Sequence, residues 1–166
     1  MFAAVFRTLD VIGYCFRSEK PLPENSKIDL VVVVKSRRIM QVFENGNLRK
    51  TYRIALGKNP VGHKQFEGDF RTPEGCYEID GRNPNSKFHK NLSISYPNVN
   101  DLETAQRSGK QPGGDIKIHG LRNGRGYRSK LHLLRDWTAG CIAVTNREID
   151  ELFTAVMDGA EIRIEP

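Results

Sequence analysis

The chain has 166 residues, enough for one domain with a sizeable core, and its 38% hydrophobic and 28% charged content excludes a disordered polymer. Its formal net charge of +6 favours an anionic partner: nucleic acid, anionic lipid or an acidic wall polymer. The positive residues are scattered (Lys35, Arg37, Arg38; Arg49, Lys50, Arg53; Arg122, Arg125, Arg128, Lys130) and form no basic helix, zinc finger or RNA-binding signature, so no nucleic-acid partner is expected.

Residues 1–16 carry Phe2, Val5, Phe6, Leu9, Ile12 and Phe16 at helical spacing, interrupted by Arg7 and Asp10. That pattern predicts an amphipathic helix packed on the domain, with a membrane-surface helix as the alternative. The run is too short and too charged to span a bilayer and has no uninterrupted apolar core of a signal peptide. Residues 18–27 hold two prolines and read as a linker, so 1–27 is expected to form an N-terminal helix and linker and 28–166 the main domain.

The β-branched run 28–35 predicts a buried strand, and 38–44 and 48–56 predict two more, joined by the hairpin dipeptide Asn45-Gly46. Glycine, lysine and proline mark 57–71 as loop, and Thr72-Pro73-Glu74-Gly75 as a turn. A short strand follows over 76–79, in which Cys76 is expected to be a small core residue. Residues 82–91 read as polar loop, 92–96 as a strand, 101–108 as a helix, and 113–119 as an alternating strand ending at His119. Residues 129–135 predict a helix over the cleft, 141–144 a strand, and Thr145 or Asn146 caps a helix with Ile149, Leu152, Phe153 and Val156 on one face, stopped by Gly159. A last strand covers 161–164. Strands outnumber helices, so the fold class is mainly β with a few helices, a mixed sandwich or barrel.

Cys15, Cys76 and Cys141 are too few and too widely spaced for a disulfide framework or zinc site, although Cys15 and Cys76 remain free to pair in an oxidising compartment. The four histidines have no metal-ligand spacing, and no phosphate-binding glycine pattern is present, so neither metal nor cofactor is expected. Chemistry concentrates instead in Trp137-Thr138-Ala139-Gly140-Cys141-Ile142. A cysteine after Ala-Gly and before an apolar run sits on a bend that can present it to a ligand. It reads as either core filler or a nucleophile. A nucleophilic thiol needs a base, and His119-Gly120 at another strand end supplies the candidate. His63, His89 and His132 have no comparable setting, although His89 lies where it could line a cleft. In the nucleophile reading, the N–H groups of Ala139, Gly140 and Cys141 are candidates for the oxyanion site, and the carbonyl of Gly120 for orienting His119.

These residues resemble the catalytic motif of the L,D-transpeptidase (YkuD-type) family: His-Gly, a spacer, then Ser/Thr-x-Gly-Cys and a hydrophobic residue, here His119-Gly120 and Thr138-Ala139-Gly140-Cys141-Ile142. Thr72-Pro73-Glu74-Gly75-Cys76-Tyr77 is similar to another family segment, and the resemblance covers roughly 28–165. It implies a β-rich fold with a lid over a cleft, Cys141 as nucleophile, His119 as base, and peptidoglycan stem peptides as substrates at a diaminopimelate L-to-D centre. It therefore implies a periplasmic or cell-wall location, although no export signal is evident. The family often has His where Ala139 stands and Arg where Ala143 stands, so a carboxylate clamp must come from elsewhere, with Arg82 and Arg122 as candidates. The interval from His119 to Cys141 is longer than in common members, which implies an enlarged lid. Arg82-Asn83-Pro84-Asn85-Ser86 and Ile94-Ser95-Tyr96-Pro97-Asn98 look closest to a branch that includes an amidase releasing murein-bound lipoprotein from diaminopimelate. By this likeness Tyr96, His89 and Arg82 join Thr138, Trp137 and Arg122 as expected cleft residues, and wall-linked lipoprotein joins the expected partners. Transfer, hydrolysis and a non-catalytic wall-binding module remain distinct expectations; oligomeric state is left open.

Overall fold

The computed structural model describes residues 13–14 and 19–166. The expected helix over residues 1–16 and the Cys15 thiol lie almost wholly outside them. Tyr14 is the exception: its hydroxyl donates to Glu148 Oε1 at 2.8 Å, and Lys130 Nζ donates to its carbonyl at 2.9 Å.

The elements are β1 (Ile28–Val34), β2 (Ile39–Glu44), β3 (Asn47–Arg53), β4 (Gly75–Ser86), β5 (His89–Ile94), α1 (Val99–Arg107), β6 (Lys117–His119), a 3-10 segment (Gly126–Leu134), β7 (Ile142–Ala143), α2 (Asn146–Ala155) and β8 (Val156–Glu165). The eight strands form one sheet in the order β3-β2-β1-β8-β4-β5-β6-β7. The first three make the expected antiparallel meander, with the Asn45-Gly46 turn at its hairpin. The last strand returns to pair parallel with β1 and antiparallel with β4, so the C-terminus sits at the centre of the sheet. At the far edge, β6 and β7 run parallel.

The two edges approach one another just beyond β3. Ala55 exchanges both backbone hydrogen bonds with Ala143, and Lys58 N–H donates to Thr138 O. The curled sheet thus closes on itself where the cysteine bend lies. Ile28, Val31, Val33, Met40, Tyr52, Ile79, Leu92, Ile118, Ile142, Ile149 and Ile162 fill the enclosed core, and burying each such side chain is worth about 1.5–3 kcal/mol before entropy is counted.

Lys35 is a buried cation with a structural reason. Its ammonium donates to Gly62 O at 2.7 Å, Thr72 O at 2.9 Å and Glu74 Oε1 at 2.8 Å. It pins the 57–71 loop to the Thr72-Pro73-Glu74-Gly75 turn. Burial lowers its pKa, and Glu74 opposes that shift.

Several expectations are corrected. Cys76 is exposed, because Tyr77 and Ile79 take the inward positions of β4 and strand alternation puts Cys76 beside Glu78 on the outer face. Residues 82–91 are mostly strand: β4 runs on to Ser86 and turns at once into β5, with register shifts near Gly81 and between Asn83 and Ser86. The 129–135 helix is a 3-10 segment beginning at Gly126 and kinked at Ser129, whose φ is 41°. The last helix ends at Ala155 rather than near Gly159, because Val156 already pairs with Ile28; Gly159 falls where the β1–β8 register shifts.

Candidate active site

His119 ends β6, and Cys141 immediately precedes β7, its parallel neighbour. Ile118 pairs with Ile142 and both are buried in the core. Strand alternation therefore sends His119 and the residue before Ile142 to the opposite face, and both line one cleft of about 1580 Å³.

Gly140 makes the bend. Its φ is +140°, and a Cβ there would lie 2.7 Å from Arg71 O, so the turn from Thr138 into β7 admits no larger residue without displacing the Arg71 backbone. Thr138 staples the bend from inside: its hydroxyl donates to Cys141 O at 2.7 Å and accepts from Gly140 N–H at 3.1 Å. Gly140 N–H is thus engaged within the protein. The Cys141 thiol donates to Asp115 O at 3.4 Å. Burial raises its pKa, and a backbone hydrogen bond from Lys117 opposes the rise.

His119 Nδ1 lies 2.7 Å from Gly120 O. A carbonyl only accepts, so Nδ1 carries the proton and Nε2 presents a lone pair. Burial lowers the His119 pKa to about 4, against the Gly120 hydrogen bond, which favours the charged form. The imidazole is therefore neutral near pH 7. Phe88 stacks beside it at 4.6 Å between ring centres, and Trp137 meets it edge-on at 5.7 Å. Gly120 fits a tight place: a Cβ there would stand 2.8 Å from Asn146 Oδ1 and 3.1 Å from Phe88 O.

Of the residues expected in the cleft, His119, Cys141, Ala139, Thr138, Trp137 and Arg122 line it. Three do not. Arg82 is held on the other side by Asp158 and by the carbonyls of Phe153 and Val156, so it is no carboxylate clamp for this cleft. His89 lies 2.9 Å from Asp150 on α2. Tyr96 is buried against Tyr77 and donates to Pro112 O at 3.0 Å.

Other cleft residues went unread in the sequence. Phe88 and Asn91 lie in the 82–91 stretch whose polar composition predicts loop, and their β4–β5 register carries no local signal. His132 has no distinguishing setting in the sequence, yet the 3-10 segment folds it into the cleft, where it is 7% exposed and accepts from Trp137 Nε1 at 3.3 Å. Arg122, Arg125, Arg128 and Arg135 form an exposed cationic rim. Among the described residues no group of three or more His, Cys, Asp or Glu could hold a metal ion, and no helix is long and apolar enough to cross a membrane.

A curled mainly β sheet with this Cys-His cleft is the architecture of one protein class, and comparison identifies it. Residues 28–164 match the YkuD model, L,D-transpeptidase catalytic domain, and the chain belongs to that family. YafK from Escherichia coli (strain K12) is 29% identical over 133 residues, 76% of this chain and 46% of that protein. Among solved structures, the helical cell shape determining protein Pgp2 from Campylobacter jejuni aligns at 25% identity and a TM-score of 0.64, covering 96% of this chain and 55% of Pgp2. An L,D-transpeptidase from Xylanimonas cellulosilytica aligns over 88% of this chain and 64% of its own at 14% identity and a TM-score of 0.53, a likeness of fold. The chain thus spans about half the length of YafK and Pgp2.

Proposed function

We infer that this domain is a cysteine-dependent L,D-transpeptidase acting on peptidoglycan stem peptides in the periplasm or cell wall. The observation that carries the reading is the His119 imidazole, oriented by Gly120 O at 2.7 Å and sharing a cleft with Cys141. His119 Nε2 takes the thiol proton as Sγ attacks the carbonyl at a diaminopimelate L-to-D centre. The carbonyl collapses to a thioester on Cys141, and the leaving amine takes the proton from His119. An incoming amine from a second stem then closes the new peptide bond and frees the thiol. With Gly140 N–H engaged by Thr138, the N–H groups of Ala139 and Cys141 are the donors left at the bend for the oxyanion.

Family membership and the basic rim support the reading, since stem peptides carry free carboxylates that exposed arginines suit. Hydrolysis is the second reading. The cleft is wide relative to one dipeptide, so water has access to the thioester, and wall-linked lipoprotein is then a substrate to try.

The test is intact-mass analysis after incubation with defined muropeptides. A Cys141 adduct is expected and should vanish in Cys141→Ala. Adduct formation that survives that change would falsify the assignment. New cross-links mark transfer; shortened or released peptides without cross-links mark hydrolysis.

A further inference from the structure

Two buried polar groups flank His119 without a partner in the protein. Asn91 pairs in register with His119 across the antiparallel β5–β6 ladder, so the two side chains stand on one face of the sheet, and both line the cleft. Asn91 is 4% exposed, and its Oδ1 has no hydrogen-bond donor. From the other side, the 3-10 segment brings in His132. Its Nδ1 accepts from Trp137 Nε1, which leaves the proton on Nε2, and that buried Nε2–H has no acceptor. Trp137 lies between the two imidazoles, with ring centres 5.7 Å from His119 and 6.2 Å from His132.

Leaving a buried donor or acceptor without a partner carries the full desolvation cost, so such groups take up water or a ligand, and of the five side-chain atoms of this kind among the described residues these two lie in the cleft. Here there are two, one acceptor and one donor, both uncharged and both in the cleft. Their chemistry selects what they hold. A carboxylate buried against neutral groups would lose its hydration without gaining a countercharge; the arginines of this cleft are at its exposed rim, and the half-buried Lys117 is already paired with Asp115 at 3.2 Å. A peptide group offers one N–H and one C=O and no charge, which is the complement of Asn91 Oδ1 and His132 Nε2–H.

Resting on the reading of the cleft as a peptide-cleaving site, we propose that Asn91 and His132 form a docking site for a backbone peptide group of the substrate, next to the one that is broken: Asn91 Oδ1 accepts its N–H and His132 Nε2–H donates to its C=O. They are positioning residues that set the register of the stem peptide against Cys141, while the arginine rim takes its carboxylates. Because His132 rides on the 3-10 segment and Asn91 on the sheet, a bound peptide group ties the two together, so this segment is ordered by substrate as well as by Trp137.

The experiment pairs variants with a substrate change. Acylation of Cys141 is followed by mass for a stem tetrapeptide and for its analogues in which a single amide N–H flanking the reacting carbonyl is replaced by an ester oxygen. Wild type should lose about tenfold or more in kcat/KM on one of the esters, the size expected for one unmade buried hydrogen bond. Asn91→Leu should lose as much on the parent peptide and little more on that ester. His132→Phe should lose a similar factor on parent and ester alike, and His132→Gln, which keeps an N–H near the same place, should recover most of it. Alkylation of Cys141 by iodoacetamide, followed in a Cys15→Ser/Cys76→Ser background, should stay within a few-fold of wild type in every variant, which separates substrate docking from collapse of the site. The inference is overturned if Asn91→Leu discriminates against the ester as wild type does, or if His132→Phe acylates at the wild-type rate. If wild type forms no adduct with any stem peptide, the proposed function fails first and this inference with it.

Discussion

At the scale of single residues, Cys141 and His119 are held as a neutral pair. Burial raises the thiol pKa and lowers the imidazole pKa to about 4, so near pH 7 the proton rests on sulfur. A preformed thiolate-imidazolium pair is therefore not the resting state, and in the proposed mechanism the thiolate arises as the proton moves during attack. Iodoacetamide alkylation of Cys141, measured in Cys15→Ser/Cys76→Ser, should accordingly be slow at pH 7 and keep climbing past the ordinary thiol range near 8.5. A plateau below pH 7 would mean that the ion pair exists at rest. The same burial couples to stability. His119 and His132 both have folded-state pKa values of about 4 against an ordinary 6.5, so the unfolded chain binds more protons between those values. The stability contributed by keeping both rings neutral is complete above about pH 6.5 and is lost as pH falls towards 4. Thermal melts should show that decline, worth on the order of a few kcal/mol, and His132→Phe should flatten part of it.

At the scale of elements, the first residue of α2 positions the histidine strand. Asn146 Oδ1 accepts from Leu121 N–H at 2.8 Å and sits against Gly120, and its amide faces Gly126. One side chain thus fixes the exit of β6 and the entry of the 3-10 segment. The helix start that presents it is itself fixed by a capping box, in which Thr145 Oγ1 accepts from Glu148 N–H and Glu148 Oε2 accepts from Thr145 N–H at 2.8 Å. Asn146→Leu should leave the helix formed, lower Tm modestly, and cut Cys141 acylation by tenfold or more through displaced His119, read as kcat with KM little changed. Thr145→Ala should cost about 1 kcal/mol, measured by urea unfolding. This is also the scale at which the sequence was and was not readable. The Gly140 bend, the Asn45-Gly46 turn and the capping residues act locally, so their signals survive in the chain itself. The outward place of Cys76 is also legible, since Tyr77 and Ile79 alternate around it, and that local pattern overrides the general burial tendency of cysteine. Phe88, Asn91 and His132 were not legible. Their places depend on the β4–β5 register and on a 3-10 segment kinked at Ser129, which only tertiary pairing specifies. Arg82, His89 and Tyr96 resemble cleft residues by motif alone, but the pairing of the chain gives them other partners: Asp158, Asp150 and the Pro112 carbonyl.

At the scale of the whole molecule, closure of the sheet and the placement of charge act together. The Ala55–Ala143 exchange joins the two edges beside Cys141, so the proposed nucleophile is mounted where the curl is completed. That leaves one face of the closure for the cleft, and the arginines at 122, 125, 128 and 135 surround it. Net charge alone would attract any anionic polymer, and screening would weaken it at any position. The fold makes a sharper prediction, because only charges that line the cleft can act on a substrate already in it. Replacing Arg122, Arg125 and Arg128 by Glu, and separately Lys27, Arg37 and Arg107 by Glu, changes the charge equally at exposed positions on and off the cleft. Both triples should weaken binding to isolated sacculi at low salt, and that loss should shrink as salt is raised. Only the rim triple should also raise KM for a soluble muropeptide, by about tenfold or more for three lost charge-assisted contacts, and the rise should persist at high salt because those contacts are short. Equal KM values for the two triples would show that the rim serves encounter with the wall and leaves substrate selection to the neutral groups within the cleft.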